Sequence, residues 1–176
     1  IQFADEQTRL LNSRTSSEIK RMFPDLNAQG ITVIVVTHEH NDHVSGVPVF
    51  VRKCSAPVYA NAATYSASRH LAEVSYERRN IFETGGTFHI GELTFDSFSI
   101  THDAADPVAF RVNGGGMTLG VVTDLGQVTN LVQESTKDLD ALILESNHDP
   151  LLLQESPYPW ELKQRIAGRN GHLSNE

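Results

Sequence analysis

Thr37-His38-Glu39-His40-Asn41-Asp42-His43 is the stretch on which the reading of this chain turns, and it follows directly on the run Ile31–Val36. That run is almost continuously apolar and β-branched, the pattern of a buried strand. Four metal-ligating side chains, His38, His40, Asp42 and His43, thus leave the end of a rigid element within six residues. Neutral imidazole and carboxylate oxygen both bind zinc and similar divalent ions, at about 2.0–2.2 Å. On extended chain, positions 38 and 40 project to the same side and can chelate one ion. Asp42 and His43 sit where the chain turns into a helix and can reach a second. A lone histidine is ordinarily a packing or surface residue. Here six of the eight histidines fall in three clusters at strand ends or loops, 38/40/43, 102 and 148/172, which scatter would not favour.

Outward from this run the chain reads as one mixed α/β domain over residues 1–176, with both ends looking cut. Thr8–Leu11 has the character of a short strand. Thr15-x-x-Glu18 has the form of a capping box for a helix through Met22, stopped at Pro24-Asp25. A short helix is expected after His43, a strand from Pro57-Val58-Tyr59, and a helix capped by Asn61 and running to about Ala72. From Thr87 the texture turns to strands. Glu92–Ile100 alternates with a phase slip at Asp96-Ser97, and Val108–Val112 and Met117–Val122 flank the turn Asn113-Gly114-Gly115-Gly116. Asp140–Leu144 reads as a buried strand ending at Glu145, and Tyr158–Ala167 as a helix after Pro157.

Composition narrows the classes of function. A net charge of −8 excludes holding a polyanion by bulk charge; two divalent ions would leave −8 + 4 = −4. No apolar run approaches the roughly 20 residues of a membrane span, so no membrane role is expected. Cys54 is the single cysteine, which allows no intrachain disulfide and fits a reducing, cytoplasmic setting; it is expected to be buried packing. His70 and His89 have no partner at ligand spacing. The basic groups Arg78-Arg79 and Lys163/Arg165/Arg169 read as solvated helix faces that could alternatively meet phosphate.

His-x-His-x-Asp-His after an apolar strand resembles the signature of the metallo-β-lactamase fold, a four-layer αβ/βα sandwich with a two-metal site at one edge. Thr101-His102-Asp103 and Thr123-Asp124-Leu125-Gly126 resemble its later motifs in order. The segments His102–Val108, Leu144–Asp149, Tyr158–Arg165 and Gly171–Asn175 are similar to the YycJ/WalJ-like group, relatives of tRNase Z and RNase J. The resemblance implies that His38, His40 and His102 hold one metal, Asp42 and His43 a second, and that Asp124 bridges them. It implies two divalent ions, zinc first and manganese as the alternative. It also implies phosphodiester hydrolysis of DNA or RNA by a metal-bridged hydroxide. Glu145 and His172 match an acid pair near the leaving group, and His148 could contact phosphate or be a surface hydrogen bonder. The sequence departs from the family at both ends. Leu10-Leu11-Asn12-Ser13-Arg14 lacks the family's early aspartate, and a final histidine ligand is expected beyond Glu176. Two other readings stand beside this one: hydrolysis of a small phosphodiester, thioester or lactone, and an inactive metal-binding module.

Overall fold

A computed structural model describes residues 2–3, 33–54 and 56–176. The expected strand at Thr8–Leu11, the helix from Thr15 and the departure at Leu10–Arg14 lie outside the described residues.

Two sheets form the centre. The first has strand order β1 (Gln2–Phe3), β2 (Ile34–Val35), β3 (Val58–Asn61) and β4 (Arg79–Phe82), all parallel. The second runs β5 (Thr87–Ile90), β6 (Leu93–Ser99), β7 (Val108–Gly114), β8 (Met117–Val122) and β9 (Ala141–Leu144). It is antiparallel as far as β8, and β9 then adds in parallel. Parallel neighbours need crossovers; among the described residues helices follow β2, β3 and β8 as such crossovers, and two more follow β9. These are α1 (Asn41–Val44), α2 (Val47–Cys54), α3 (Ala62–Ala67), α4 (Arg69–Ala72), α5 (Asn130–Ser135), α6 (Pro150–Glu155) and α7 (Trp160–Ala167).

Alternation along β2 dictates the layering. Val33 and Val35 join Phe82, Phe95, Phe110 and Leu119 in the core between the sheets. Ile34 and Val36, one residue out of phase, pack with Val44, Val47 and Leu71 on the helix-covered face. A third cluster of Phe98, Ile100, Val122, Leu125 and Val132 lies under α5 on the far side of the second sheet. The sandwich is therefore helix, sheet, sheet, helix, as expected.

Local chemistry explains the departures from the expected elements. Asn61 does cap its helix, accepting from Thr64 N at 2.8 Å. The helix breaks at Ser68, however, where an extended backbone (φ −100, ψ 113) and a second cap onto Leu71 N begin α4. The phase slip in β6 is real: Ser97 and Phe98 are both buried, with the Ser97 hydroxyl donating to the Glu83 and Gly86 carbonyls. Gly115 and Gly116, at φ 59 and 75, make the two-residue turn between β7 and β8. Cys54 is exposed rather than buried. It ends α2, its thiol donating to the Phe50 carbonyl, and only Val47 and Pro48 of that helix are buried.

Candidate metal centre

The chain leaves β2 at Val36, and Thr37 anchors the exit. Its carbonyl accepts Val108 N from the second sheet at 3.2 Å, and its hydroxyl lies 3.0 Å from His38 Nδ1 and 3.3 Å from His43 Nδ1. Both rings are thereby aimed with Nε2 inward, the arrangement by which a second partner orients a ligating imidazole. His38 is fully buried, and its Nε2 has no hydrogen-bond partner among the described residues. Burial, with the neighbouring His43, His102 and His40, outweighs the pull of Asp124 and pushes the His38 imidazole down to about 2. It is neutral at any ordinary pH, as a ligand must be.

His102 arrives from the loop after β6. Its Nδ1 meets the Gly171 carbonyl at 3.0 Å, and its Nε2 lies 3.2 Å from His40 Nδ1. Burial lowers its affinity for a proton, only partly offset by that carbonyl. Ligating atoms of His38, His40 and His102 lie within 4.8 Å of one another. A buried, partnerless nitrogen facing two further imidazoles fits a divalent ion of the zinc type by donor chemistry.

Asp124 closes the other side. β8 runs into it from Val122, and its backbone sits in the left-handed region at φ 55. Its Oδ2 is 3.2 Å from His43 Nε2. Burial would raise this carboxyl, but the hydrogen bond and charge of His43, with His38 and His102, outweigh it and hold it well below the usual carboxylate range. Donor atoms of His38, His43 and Asp124 form a second close group, and those of His102, Asp124 and His172 a third. Asp124 is common to both, the position expected of a bridging carboxylate.

Asp42 stands apart. Its side chain is 68% exposed, its Oδ2 is 3.6 Å from His43 Nε2, and it belongs to none of the three groups. It does line the cavity above them. The first turn of α1 carries its carboxylate outward while burying His43.

Glu145, at the end of β9, is buried and accepts from Leu125 N, Leu173 N and His172. Its Oε1 lies 2.6 Å from His172 Nδ1, and this hydrogen bond, against some loss from burial, raises the His172 pKa. The pairing foreseen from the sequence is therefore present. His172 also lies 3.7 Å from Asp124 Oδ1, nearer the metal groups than its expected place in an acid pair required. Two glycines permit this approach. A Cβ on Gly126 would meet Arg169 O at 2.2 Å, and one on Gly171 would meet Arg165 O at 2.1 Å. His148 is separate: it forms an isolated bridge with Ser174 and is not among the residues lining the cavity.

Sequence reasoning passed over Asp103 and left Arg165 between a solvated face and a phosphate contact. Arg165 is 61% exposed, and it also lines the cavity, its Nε donating to Asp103 Oδ2 at 2.5 Å. Asp103 Oδ1 in turn lies 3.6 Å from His40 Nε2 and 3.5 Å from His102 Nε2. The available signal was spacing: on α7, Leu162, Arg165 and Ile166 recur at three and four residues, one helix face. Two of the other basic residues are structural. Arg79 donates to the Val74 and Ala72 carbonyls, and Lys163 to that of Gln154.

Comparison with known proteins places this geometry. The Beta-lactamase superfamily domain matches residues 12–176. Exodeoxyribonuclease YycJ of Bacillus anthracis is 37% identical over 153 residues, covering 86% of this chain and 58% of that protein. Exodeoxyribonuclease WalJ of Streptococcus pneumoniae serotype 2 is 38% identical over 163 residues, covering 91% of this chain and 59% of that one. The chain thus spans about three-fifths of the length of these curated relatives. Among solved structures, Zn2+-bound PqqB from Methylobacterium extorquens superposes with a TM-score of 0.65 at 19% identity, covering 83% of this chain and 55% of that one. The matched residues include every member of the His/Asp cluster, and the chain belongs to the β-lactamase superfamily in its metallo-β-lactamase fold.

Proposed function

We propose that this chain carries the metal centre of a divalent-metal-dependent phosphodiesterase that degrades DNA as an exonuclease. The observation that carries the reading is the convergence of three overlapping donor groups, His38/His40/His102, His38/His43/Asp124 and His102/Asp124/His172. The names of the YycJ and WalJ relatives support DNA as the substrate. Zinc is the favoured metal because imidazole dominates the donor set, and manganese is the alternative. His38, His40 and His102 would hold one ion. His43 and Asp124 would hold a second, with Asp42 at its outer side. Bound there, divalent ions supply Lewis acidity and a water made acidic near neutral pH.

The chain's own residues supply the rest. Asp124 stays ionised among the histidines and holds the Nε2 of His43. Glu145 holds the His172 ring through Nδ1 and favours its charged form, so the far nitrogen carries a proton that can pass to the departing oxygen. Leu162 and Ile166 form an apolar part of the wall of the cavity, whose volume is about 400 Å3. Among the described residues no helix is long and apolar enough to cross a membrane. The DNA substrate is what argues for a cytoplasmic location.

The test is hydrolysis of end-labelled linear DNA by the purified chain supplied with Zn2+ or Mn2+. His40→Ala and Asp124→Ala are expected to lose about a thousandfold or more, each tenfold corresponding to about 1.4 kcal/mol of barrier. Wild-type rates in both variants would overturn the proposal.

A further inference from the structure

Arg165 is unexplained by the metal centre. It projects from the middle of α7 into the cavity wall between Leu162 and Ile166, and its guanidinium meets Asp103 through Nε alone. Among the described residues both terminal NH2 groups are left without a partner, although the side chain is 61% exposed and could turn to water. Arginine presents donors in a planar fork matched to phosphate oxygens. An arginine held at one edge by a carboxylate offers the other edge with little rotamer freedom left to lose. The holder is itself fixed to the site: Asp103 follows His102 in the chain and faces both His40 and His102. Among the described residues, the other titratable side chains on the cavity wall are the carboxylates of Asp42, Asp103 and Asp124 and the imidazoles of His40 and His172, so Arg165 is the permanent cation there.

We infer that Arg165, pre-oriented by Asp103, is a specificity-determining residue that grips a second phosphate of the substrate, next to the one that is cut. The inference rests on the phosphodiesterase reading above and names what it leaves open, the substrate's minimum size. Arg165 lies one carboxylate beyond His40 and His102, so the phosphate it meets is the neighbour of the one those histidines face. Leu162 and Ile166 on either side of it offer the intervening sugar an apolar surface. The class of substrate that fits is a strand carrying a phosphate on the terminal nucleotide, in preference to a lone phosphodiester.

The experiment compares three dinucleotides, TpT, pTpT and TpTp, on the metal-loaded chain and on Arg165→Gln and Arg165→Lys, with bound metal measured for each. Wild type is expected to prefer one of the doubly phosphorylated substrates over TpT by about tenfold or more, the scale of one charge-assisted hydrogen bond. Arg165→Gln should lose that preference, mainly through KM, and Arg165→Lys should keep part of it because charge remains without the fork. As a readout independent of turnover, binding of a phosphorothioate analogue should lose about one unit of its slope of log K against log salt in Arg165→Gln. Equal losses on all three substrates, an unchanged salt slope, or a loss that tracks bound metal would overturn the assignment and leave Arg165 as a strut for α7. If wild type cleaves none of the three, nor linear DNA, with either metal, the phosphodiesterase reading itself fails and takes this inference with it.

Discussion

The two sides of the metal centre are built differently. His38, His40 and His102 are imidazoles from two strand ends, with His38 and His102 buried and aimed by Thr37 and the Gly171 carbonyl. The side formed by Asp42, His43, Asp124 and His172 mixes carboxylate with imidazole and runs from the buried His43 to the exposed Asp42, and His172 is already bound to Glu145. The first side gathers on the two buried rings of His38 and His102, whereas the second is spread over α1, the end of β8 and the chain after α7. Ligands that are rigid before binding lose less freedom on binding, so the first side should hold its ion more tightly.

The sharpest way to break this contrast is to remove one ligand from each side and count ions. His38→Ala should leave about one ion or fewer per chain and reduce DNA hydrolysis by about a thousandfold or more, measured by elemental mass spectrometry beside the nuclease assay. Retention of two ions would mean that the buried nitrogen is not a ligand. His172→Ala should lower turnover by about a hundredfold, the range of a general acid, while bound metal stays near the wild-type count. If metal falls with it instead, His172 belongs to the ligand set. Asp42→Ala should cost only about tenfold, on the scale of outer-shell changes at metal sites, because its carboxylate is already largely in solvent. A loss as large as that of His38→Ala would erase the distinction between the sides.

The smallest effect concerns protons. The His172 pKa is raised by Glu145, so the stability this pair contributes is fully present below His172's unfolded value, about 6.5. It is lost as pH rises through the higher folded value. In chelator-treated protein, the gap in Tm between wild type and Glu145→Gln should therefore narrow from about pH 6 to about pH 9. A gap that widens with pH would mean that the pair is not an ion pair in the folded chain.

Much of this was legible because it is local. The apolar run Ile31–Val36 and the spacing of His38, His40 and His43 depend on neighbours in the chain, and strand geometry converts them directly into faces. Asp124 was legible because a strand runs straight into it. The contacts that escaped are long-range: Arg165 meets Asp103 across 62 positions, and His102 meets Gly171 across 69. Neither residue type nor spacing announces such a meeting, since a helix arginine is usually solvated. Ser68 was obscured for another reason. Helix propensity runs on through Ala67–Ala72, and only the competing cap on Leu71 N breaks it. Cys54 was misjudged because composition says where cysteines usually lie, not where this helix ends.

The left-handed backbone of Asp124 sets function against durability at a single position. For a residue with a Cβ that conformation costs on the order of 1 kcal/mol. Glycine adopts it freely, whereas aspartate and asparagine enter it only with the help of local hydrogen bonds. A library of this chain sorted only for expression or heat resistance would then drift toward glycine at 124, shedding the carboxylate while the sandwich grew firmer. Copies of this fold that have lost their chemistry should be recognisable by that substitution, in a protein that is otherwise well folded.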